Sequence, residues 1–342
     1  GPDYWGRRVI ERHARTTALS EIDYLLYAPD DRAGALAFGL GQEPPAPRRD
    51  FNKTLQLEKL QEIADAIINE EAIPQGASAD QIDAFLLAGT SMGGARPKAV
   101  IEHQDALWLA KFNHPEDRWN VARVEHAMLT LARECGISTA ASQVIDVAGR
   151  DVLLVRRFDR EKADTGYTRA RMLSGLTLLQ SGDTHVDRER WSYPLLAEEL
   201  RRVSAAAKDD AQELFRRMCF NAMISNMDDH PRNHAVVAKE TGWRLSPAYD
   251  LTPATPVSIE HRDLAMTCGD AGRFANAKNL LSQAPRFLLK SEEGAALLTA
   301  MQECIHSRWY PIARGCGVAE ADCEKIKPAF LYQGFFYEHT SA

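Results

Sequence analysis

The loop at residues 226–233 constrains the fold more than any other feature of the sequence. It contains a proline and follows a long amphipathic stretch. Apolar residues at helical spacing over 211–225 predict a buried helix that leads into this loop. Pro231 has no backbone donor, so the helix is expected to have ended before it. Two short apolar runs between residues 234 and 245 then predict a hairpin that ends at Asp250.

Two aspartates and an asparagine in and after this loop form the strongest candidate for a catalytic site. Asn233 follows Asp228 by five residues, and Asp250 stands at the far end of the hairpin. This spacing is typical of a kinase active site, in which the first Asp accepts or orients a substrate hydroxyl. Asn233 and Asp250 offer the oxygen ligands that Mg²⁺ prefers between nucleotide phosphates. A polar turn with side-chain capping is the alternative that the local motif leaves open.

The predicted elements before this loop follow the order of a kinase small lobe. A glycine-rich loop, a hairpin, a helix and a second hairpin are predicted at residues 89–98, 99–102 with 106–112, 119–135, and 142–147 with 151–156. From Leu195 onward the pattern is mostly helical. The sequence therefore predicts an α+β, two-lobed, protein-kinase-like fold with a small mixed α/β N-lobe and a mainly helical C-lobe.

The chain, with 342 residues, is long enough for two lobes. The predicted portions are a helical docking portion at 1–88, a small lobe with the glycine loop at 89–160, and a helical large lobe with the catalytic and metal-binding loops at 161–342. In the first portion we expect helices at 55–71 and 80–87. Ser20 followed by Asp23 predicts a capping box for a short helix.

The glycine-rich loop is a candidate phosphate site. Gly93 and Gly94 let backbone amides approach a phosphate closely, and Arg96 and Lys98 add positive charge. The loop lacks both the lysine of a P-loop and the G-x-G-x-x-G of ordinary protein kinases. A surface turn without a ligand is therefore the alternative.

Lys111 lies in an apolar strand, where a charged ammonium group is costly to bury without a partner. Glu125 on the following helix is the candidate partner, as in the Lys–Glu ion pair that positions ATP phosphates in kinases. A lysine at a strand end that reaches solvent is the alternative. Phe158 stands where a kinase hinge would lie, and is a candidate adenine contact or an ordinary hydrophobic anchor.

His230 and His234 stand four residues apart beside two carboxylates, which raises the alternative of a zinc or di-metal hydrolase. Pro231 prevents the helix that would place both imidazoles on one face, and no third histidine lies nearby in sequence. The pattern therefore disfavours this alternative.

Charge and cysteine usage exclude further classes of protein. The 41 basic and 48 acidic side chains give a net charge of −7, so direct nonspecific DNA binding by the chain alone is not expected. The six cysteines form no C-x-x-C pair, which argues against a zinc ribbon or a thioredoxin-type site and fits reduced core thiols in a cytoplasmic protein. No run of about 18 apolar residues predicts a membrane span.

Taken together, these motifs resemble the HipA family of bacterial serine/threonine protein kinases. The matching segments are Ser91–Lys98, Leu109–Phe112, Arg157–Arg160, Asn226–Asn233 and Leu245–Asp250. Their order and spacing fit from about Gly89 to the C-terminal region. The Asp-x-His-x-x-Asn motif followed by Tyr-Asp is specific to the family, and the glycine loop is supportive.

The resemblance implies ATP as substrate and Mg²⁺ as cofactor. The implied site consists of the catalytic Asp228, the Mg²⁺ ligands Asn233 and Asp250, the phosphate-binding Lys111, and His230 near the nucleotide phosphates. Ser91 occupies the position that family members autophosphorylate, which ejects the loop and switches the enzyme off. The physical reason is that a phosphate with a charge of about −1.5 to −2 cannot share a cradle built for ATP phosphates.

The resemblance also implies the toxin half of a toxin–antitoxin pair. Family members are neutralised by a DNA-binding antitoxin of the HipB type, and inhibit translation by phosphorylating an aminoacyl-tRNA synthetase. They have an extra β-rich piece before the segment that corresponds to Trp5–Arg8. We therefore expect either that this chain was trimmed at its start or that the β-rich piece is a separate polypeptide. A small-molecule kinase and a nucleotide-sensing regulatory module without phosphotransfer are the alternatives. The intact motif argues against the second.

Overall fold

The computed structural model describes residues 4–27, 32–43, 45, 51–54, 57–68, 96–114, 116–182, 184–255 and 257–336. The chain forms two compact units. The first comprises Gly1–Arg118 and Ala141–Met172, and the second comprises Trp119–Ala140 and Leu173–Ala342. Among the described helices, none combines the length and the apolar character that crossing a bilayer requires.

The first unit is built on a five-stranded sheet. Its strands are β1 (Asn52–Lys53), β2 (Lys98–His103), β3 (Ala106–Phe112), β4 (Ser142–Val147) and β5 (Arg150–Arg156). They lie in the order β1-β2-β3-β5-β4, in which β1 runs parallel to β2 and all other pairs are antiparallel. Gln104 and Asp105 turn the chain between β2 and β3 with φ of 48° and 55°. Positive φ at both central residues matches the right-handed twist of a tight hairpin.

Three helices and a small hairpin accompany this sheet. They are α1 (Tyr4–Ala14), α2 (Glu21–Tyr27), α3 (Leu57–Ile68), β6 (Arg160–Lys162) and β7 (Tyr167–Arg169). Val9 of α1 and Leu60 of α3 share one apolar core with Trp108 of the sheet. The predicted capping box is confirmed. The Ser20 amide donates to the Asp23 carboxylate at 2.8 Å, and the Asp23 amide donates to Ser20 Oγ at 3.3 Å.

The second unit is mainly helical. Its helices are α4 (Val121–Glu134), α5 (Gly175–Leu178), α6 (Tyr193–Val203), α7 (Ala207–Met223), α8 (Ala277–Ser282), α9 (Ser291–Gly315) and α10 (Glu320–Ile326). A three-stranded sheet in the order β10-β9-β8 joins β10 (Arg244–Leu245), β9 (Ala235–Ala238) and β8 (Arg171–Ser174). The strand β8 begins in the first unit and ends in the second.

Although α4 stands between β3 and β5 in sequence, its apolar face belongs to the core of the second unit. Val124, Met128 and Leu131 recur at helical spacing and are fully buried in one cluster with Phe215 of α7. Asn120 caps the helix by accepting a hydrogen bond from the Arg123 amide at 3.1 Å.

The α+β class and most predicted elements are confirmed. The bounds of β3 and β4 match the prediction, and those of β2, β5 and α4 differ by at most two residues. The catalytic-loop helix, α7, begins four residues earlier than predicted, because Asp209 and Asp210 favour a helix N-terminus. The predicted helix at 80–87 and the glycine loop at 89–95 lie outside the described residues. The division at residues 88 and 160 stays a prediction.

Candidate active site

The candidate site is built on the segment that follows α7. The helix ends at Met223, and the amide of the capping residue Ile224 donates to the Phe220 carbonyl at 3.0 Å. Ser225 then reverses the chain with a φ of 55°. A single 3-10 turn covers Pro231–Asn233. The predicted loop is thus confirmed, and proline stands in the first turn, where a missing N–H costs little.

The backbone of this loop holds Asn233 beside Asp228. Asn233 Nδ2 donates to the Asp228 carbonyl oxygen at 3.2 Å, and the His230 amide donates to the same oxygen at 2.8 Å. Because the amide nitrogen of Asn233 is used by the protein, its Oδ1 is the atom suited to a cation.

Asp228 is an exposed residue, and the pKa of its carboxyl group is raised. Partial desolvation is the main cause, the imidazole of His230 opposes it, and the Asp250 carboxylate raises the pKa further. The two carboxylates therefore lie within each other's electrostatic reach. A divalent cation would offset this repulsion, so the oxygen donors of Asn233 and Asp250 beside Asp228 fit Mg²⁺.

Two hydrogen bonds tie the Asp250 loop to the Asp228 loop. Asn226 Nδ2 donates to the Asp250 carbonyl oxygen at 3.4 Å, and the Tyr249 hydroxyl donates to the Arg232 carbonyl oxygen at 2.8 Å. Asp250 itself has a left-handed backbone with φ of 61°, which a short polar side chain tolerates better than most. The structure thus brings together the three residues that the sequence singled out.

Asp229, which has no role in the predicted site, is the centre of a buried network. Its Oδ2 accepts hydrogen bonds from the Tyr193 hydroxyl and from Asn221 Nδ2 at 2.7 Å, and it lies 2.8 Å from His234 Nε2. Asp229 is 1% exposed. Burial, and then the charge of Asp229, raise the pKa of Tyr193, so the hydroxyl stays protonated and donates. The network fixes the backbone next to Asp228.

Sequence reasoning also missed Tyr193, Asn221 and Asn226 as members of this site. Tyr193 precedes Asp229 by 36 residues, and no local pattern connects the two. The one available signal was the pair of adjacent aspartates after a buried helix. An Asp is almost never fully buried without partners, so if one of the two is buried, polar partners for it are expected.

The hydrolase alternative finds no support in the described part of the chain. Within it, no three His, Cys, Asp or Glu residues are grouped so that they could hold a metal ion. His234 Nε2 is engaged by Asp229 at 2.8 Å. A kinase-type Mg²⁺ site needs fewer protein ligands, since water and nucleotide phosphates complete the coordination.

The residues expected to contact ATP lie in the first unit. Lys98 and Lys111 are directly opposite each other in the β2–β3 ladder, and Lys98 is 4% exposed. Like charges at directly opposite positions destabilise a strand pair, so an anion bound at the two ammonium groups would offset their repulsion. Glu125 is buried in α4 of the second unit, and its ion pair with Lys111 stays a prediction. The glycine-loop residues Ser91, Gly93 and Gly94 lie outside the described residues.

Phe158 is half-buried, and a buried ion cluster holds the backbone on either side of it. Asp159 Oδ2 accepts from Arg157 Nη2 at 2.9 Å, from Arg160 Nη1 at 2.6 Å and from the Gly34 amide at 2.9 Å. Burial alone would raise the pKa of Asp159, but the two arginines hold it below its ordinary value. Asp159 therefore stays ionised and keeps this turn in one conformation.

This fold has a counterpart of known structure. It is similar to HipA of Shewanella oneidensis MR-1, solved in complex with HipB and its operator DNA, with a TM-score of 0.68 and 17% identity over 95% of this chain and 79% of that chain. At this identity the likeness shows the fold alone, and it confirms the predicted two-lobed fold class.

The family is shown by the sequence itself. A model of the HipA-like C-terminal domain matches residues 90–309, more than half of the chain, so the chain belongs to this family. It is 24% identical over 185 residues to a putative kinase of Haemophilus influenzae, covering 49% of this chain and 54% of that protein. It is 28% identical over 156 residues to the putative kinase Y4mE of Sinorhizobium fredii, covering 42% and 35%. The chain thus spans about half and about a third of these relatives.

Proposed function

We propose that this chain is an ATP- and Mg²⁺-dependent serine/threonine protein kinase and the toxin of a bacterial toxin–antitoxin pair. The observation that carries the proposal is the grouping of Asp228, Asn233 and Asp250 at the end of α7. Membership of the HipA-like family and two relatives named putative kinases support the same chemistry.

In the proposed reaction, Asp228 accepts the proton of a substrate hydroxyl as the hydroxyl oxygen attacks the γ-phosphorus of ATP. The bond between that phosphorus and the β–γ bridging oxygen breaks, and ADP leaves. Asn233 Oδ1 and the Asp250 carboxylate hold Mg²⁺, which when bound neutralises charge on the phosphates. His230 lies near those phosphates. Asp229 is a positioning residue, since it is buried and its hydrogen-bond network fixes the loop next to Asp228.

The first unit supplies the nucleotide contacts in this proposal. Lys111 and Lys98 bind phosphate oxygens, Gly93 and Gly94 offer backbone amides, and Phe158 packs near adenine. Glu125 orients Lys111 as the ion-pair partner of kinases does.

The proposed partners follow from the family. HipA of Shewanella oneidensis was solved with HipB and operator DNA, which supports a HipB-like antitoxin for this chain. An aminoacyl-tRNA synthetase is the proposed protein substrate, and its phosphorylation would inhibit translation. Autophosphorylation of Ser91 would switch the kinase off, because the added charge repels the ATP phosphates.

Intact mass after incubation with Mg²⁺–ATP tests the proposal. We expect the wild type to gain one phosphate, and the Ser91→Ala and Asp228→Ala variants to gain none. Removing the base lowers phosphotransfer about 10²–10⁴-fold. Asp164→Ala is the matched control, because Asp164 is an exposed aspartate in the β6–β7 turn and should phosphorylate normally.

Each outcome separates the candidates. A gain of phosphate in Ser91→Ala would move the acceptor to another residue. Transfer to a small molecule without any protein acceptor would favour the small-molecule kinase. If unphosphorylated wild type neither gains mass nor binds ATP, the kinase proposal is wrong and a regulatory module remains.

A further inference from the structure

Two cysteines that lie far apart in sequence meet in the second unit. Cys135 ends α4 and Cys304 lies within α9, and their sulfur atoms are 3.2 Å apart across a sequence separation of 169 residues. Both side chains are half-buried, so a small oxidant has access to them. Among the other cysteines, Cys219, Cys268 and Cys323 are buried, and Cys316 Sγ lies 4.0 Å from a threonine hydroxyl.

We propose that Cys135 and Cys304 form a reversible disulfide when the protein meets a peroxide. A disulfide requires an S–S distance of about 2.05 Å, so the sulfurs have to close by only about 1.2 Å. The pair lies outside the residues of the proposed active site, and the inference does not depend on kinase activity.

The reaction balances with the peroxide as oxidant. The Cys304 thiol gives up its proton, and the resulting thiolate attacks one oxygen of hydrogen peroxide. The O–O bond breaks, the departing hydroxide takes up the proton as water, and Cys304 becomes a sulfenic acid. The sulfur of Cys135 then displaces the hydroxyl group of that sulfenic acid, its proton leaves with the hydroxyl as water, and the S–S bond forms. The two thiols lose two electrons, and the peroxide gains them.

The contact geometry supports this order of events. The Cys135 thiol donates its hydrogen bond to Cys304 Sγ, which places Cys304 as the acceptor sulfur. Burial, and then this contact, raise the pKa of Cys135, so it stays a thiol at neutral pH. A thiol that stays protonated is a poor nucleophile, so Cys304 is the sulfur that the peroxide oxidises first. Cys135 can attack the sulfenic acid only as its own proton passes to the departing hydroxyl group.

The bond would fix a segment that leads to the proposed metal loop. Glu134 and Arg308 already link α4 to α9 beside the cysteines, with 3.3 Å between charged atoms. After α4, the Ala248 amide donates to the Ser138 carbonyl at 2.8 Å, and Ala248 stands two residues before Asp250. A disulfide at Cys135 therefore closes a long loop and restrains this path.

Thiol mapping of the full chain with and without hydrogen peroxide tests the proposal. After peroxide treatment, the intact mass of the wild type should fall by the mass of two hydrogen atoms. Alkylation should then label two fewer cysteines than the six of the reduced chain. Proteolysis should yield one linked peptide pair that contains Cys135 and Cys304. The thermal midpoint should rise by about 5–10 °C and fall back with a reductant.

Three serine variants provide the controls. Cys135→Ser and Cys304→Ser should abolish the link, and Cys316→Ser should keep it. In Cys135→Ser, a sulfenic-acid trap should label Cys304. Linkage through any other cysteine, or oxidation of Cys304 without a link in the wild type, would overturn the proposal. Should a variant fold poorly, the linked peptide in the wild type decides alone.

Discussion

At the scale of single residues, two adjacent aspartates have opposite roles. Asp229 is buried with three partners, whereas Asp228 is exposed with a raised pKa. We expect Asp229→Asn to lower the free energy of unfolding by about 2–4 kcal/mol, because an amide leaves a buried donor without an acceptor. Urea unfolding measures this change.

Asp228→Asn is the matched control for that substitution. A raised folded-state pKa means that the fold disfavours the ionised carboxylate. The stability that this group contributes is therefore fully present below its ordinary pKa and is lost as pH rises through the raised folded-state pKa. Removing the charge should therefore leave the stability equal or slightly higher at neutral pH, while phosphotransfer is lost. Equal destabilisation by both variants would refute the distinction between the two aspartates.

At the scale of elements, α5 approaches the catalytic loop so closely that only glycine fits. A Cβ at Gly175 would lie 2.6 Å from the Pro231 carbonyl oxygen, and the Gly175 amide donates to the His234 carbonyl at 2.7 Å. Gly175→Ala must push the Pro231 turn away, so we expect a loss of about 1–3 kcal/mol of stability and lower phosphotransfer. Thermal unfolding and the mass assay measure both effects.

Gly315→Ala controls for the chemistry of that change. Gly315 ends α9, and a Cβ there would meet nothing within 4 Å. Alanine favours a helix by up to about 1 kcal/mol over glycine, so this variant should be neutral or more stable. If Gly175→Ala changed neither the thermal stability nor the phosphotransfer, the contact between α5 and the Pro231 turn would not be rigid.

At the scale of the whole molecule, neither unit is a continuous piece of chain. Residues 173–342 alone lack α4, whose Val124, Met128 and Leu131 are fully buried in the core of the second unit. We expect this fragment to unfold without a cooperative urea transition. Residues 119–140 joined to 173–342 by a flexible Gly/Ser linker should restore the transition.

A charged residue at the centre of the apolar face of α4 tests whether burial of that face restores the cooperative transition. Val124→Asp in the linked chain should remove the transition again, because an unpaired carboxylate cannot be buried there. If residues 173–342 alone unfolded cooperatively, at the same urea midpoint as the linked chain, the expected role of α4 would be wrong.

The sequence by itself determined the local elements and the spacing of the candidate site. Alternating and helical apolar patterns fixed β3, β4 and α4 within two residues, because each pattern is set by neighbours along the chain. Pro231 located the loop for the same local reason. Asp228 and Asn233 are only five residues apart, so one turn suffices to bring them together.

Only the tertiary structure decided which distant residues meet. Tyr193 at Asp229 and Cys135 at Cys304 are separated by 36 and 169 residues, and many other side chains of like character were available to each. The placement of α4 in the core of the second unit was likewise hidden, since an apolar face does not specify its partner. Periodicity states that a face is buried, whereas the packing of whole elements selects what it is buried against.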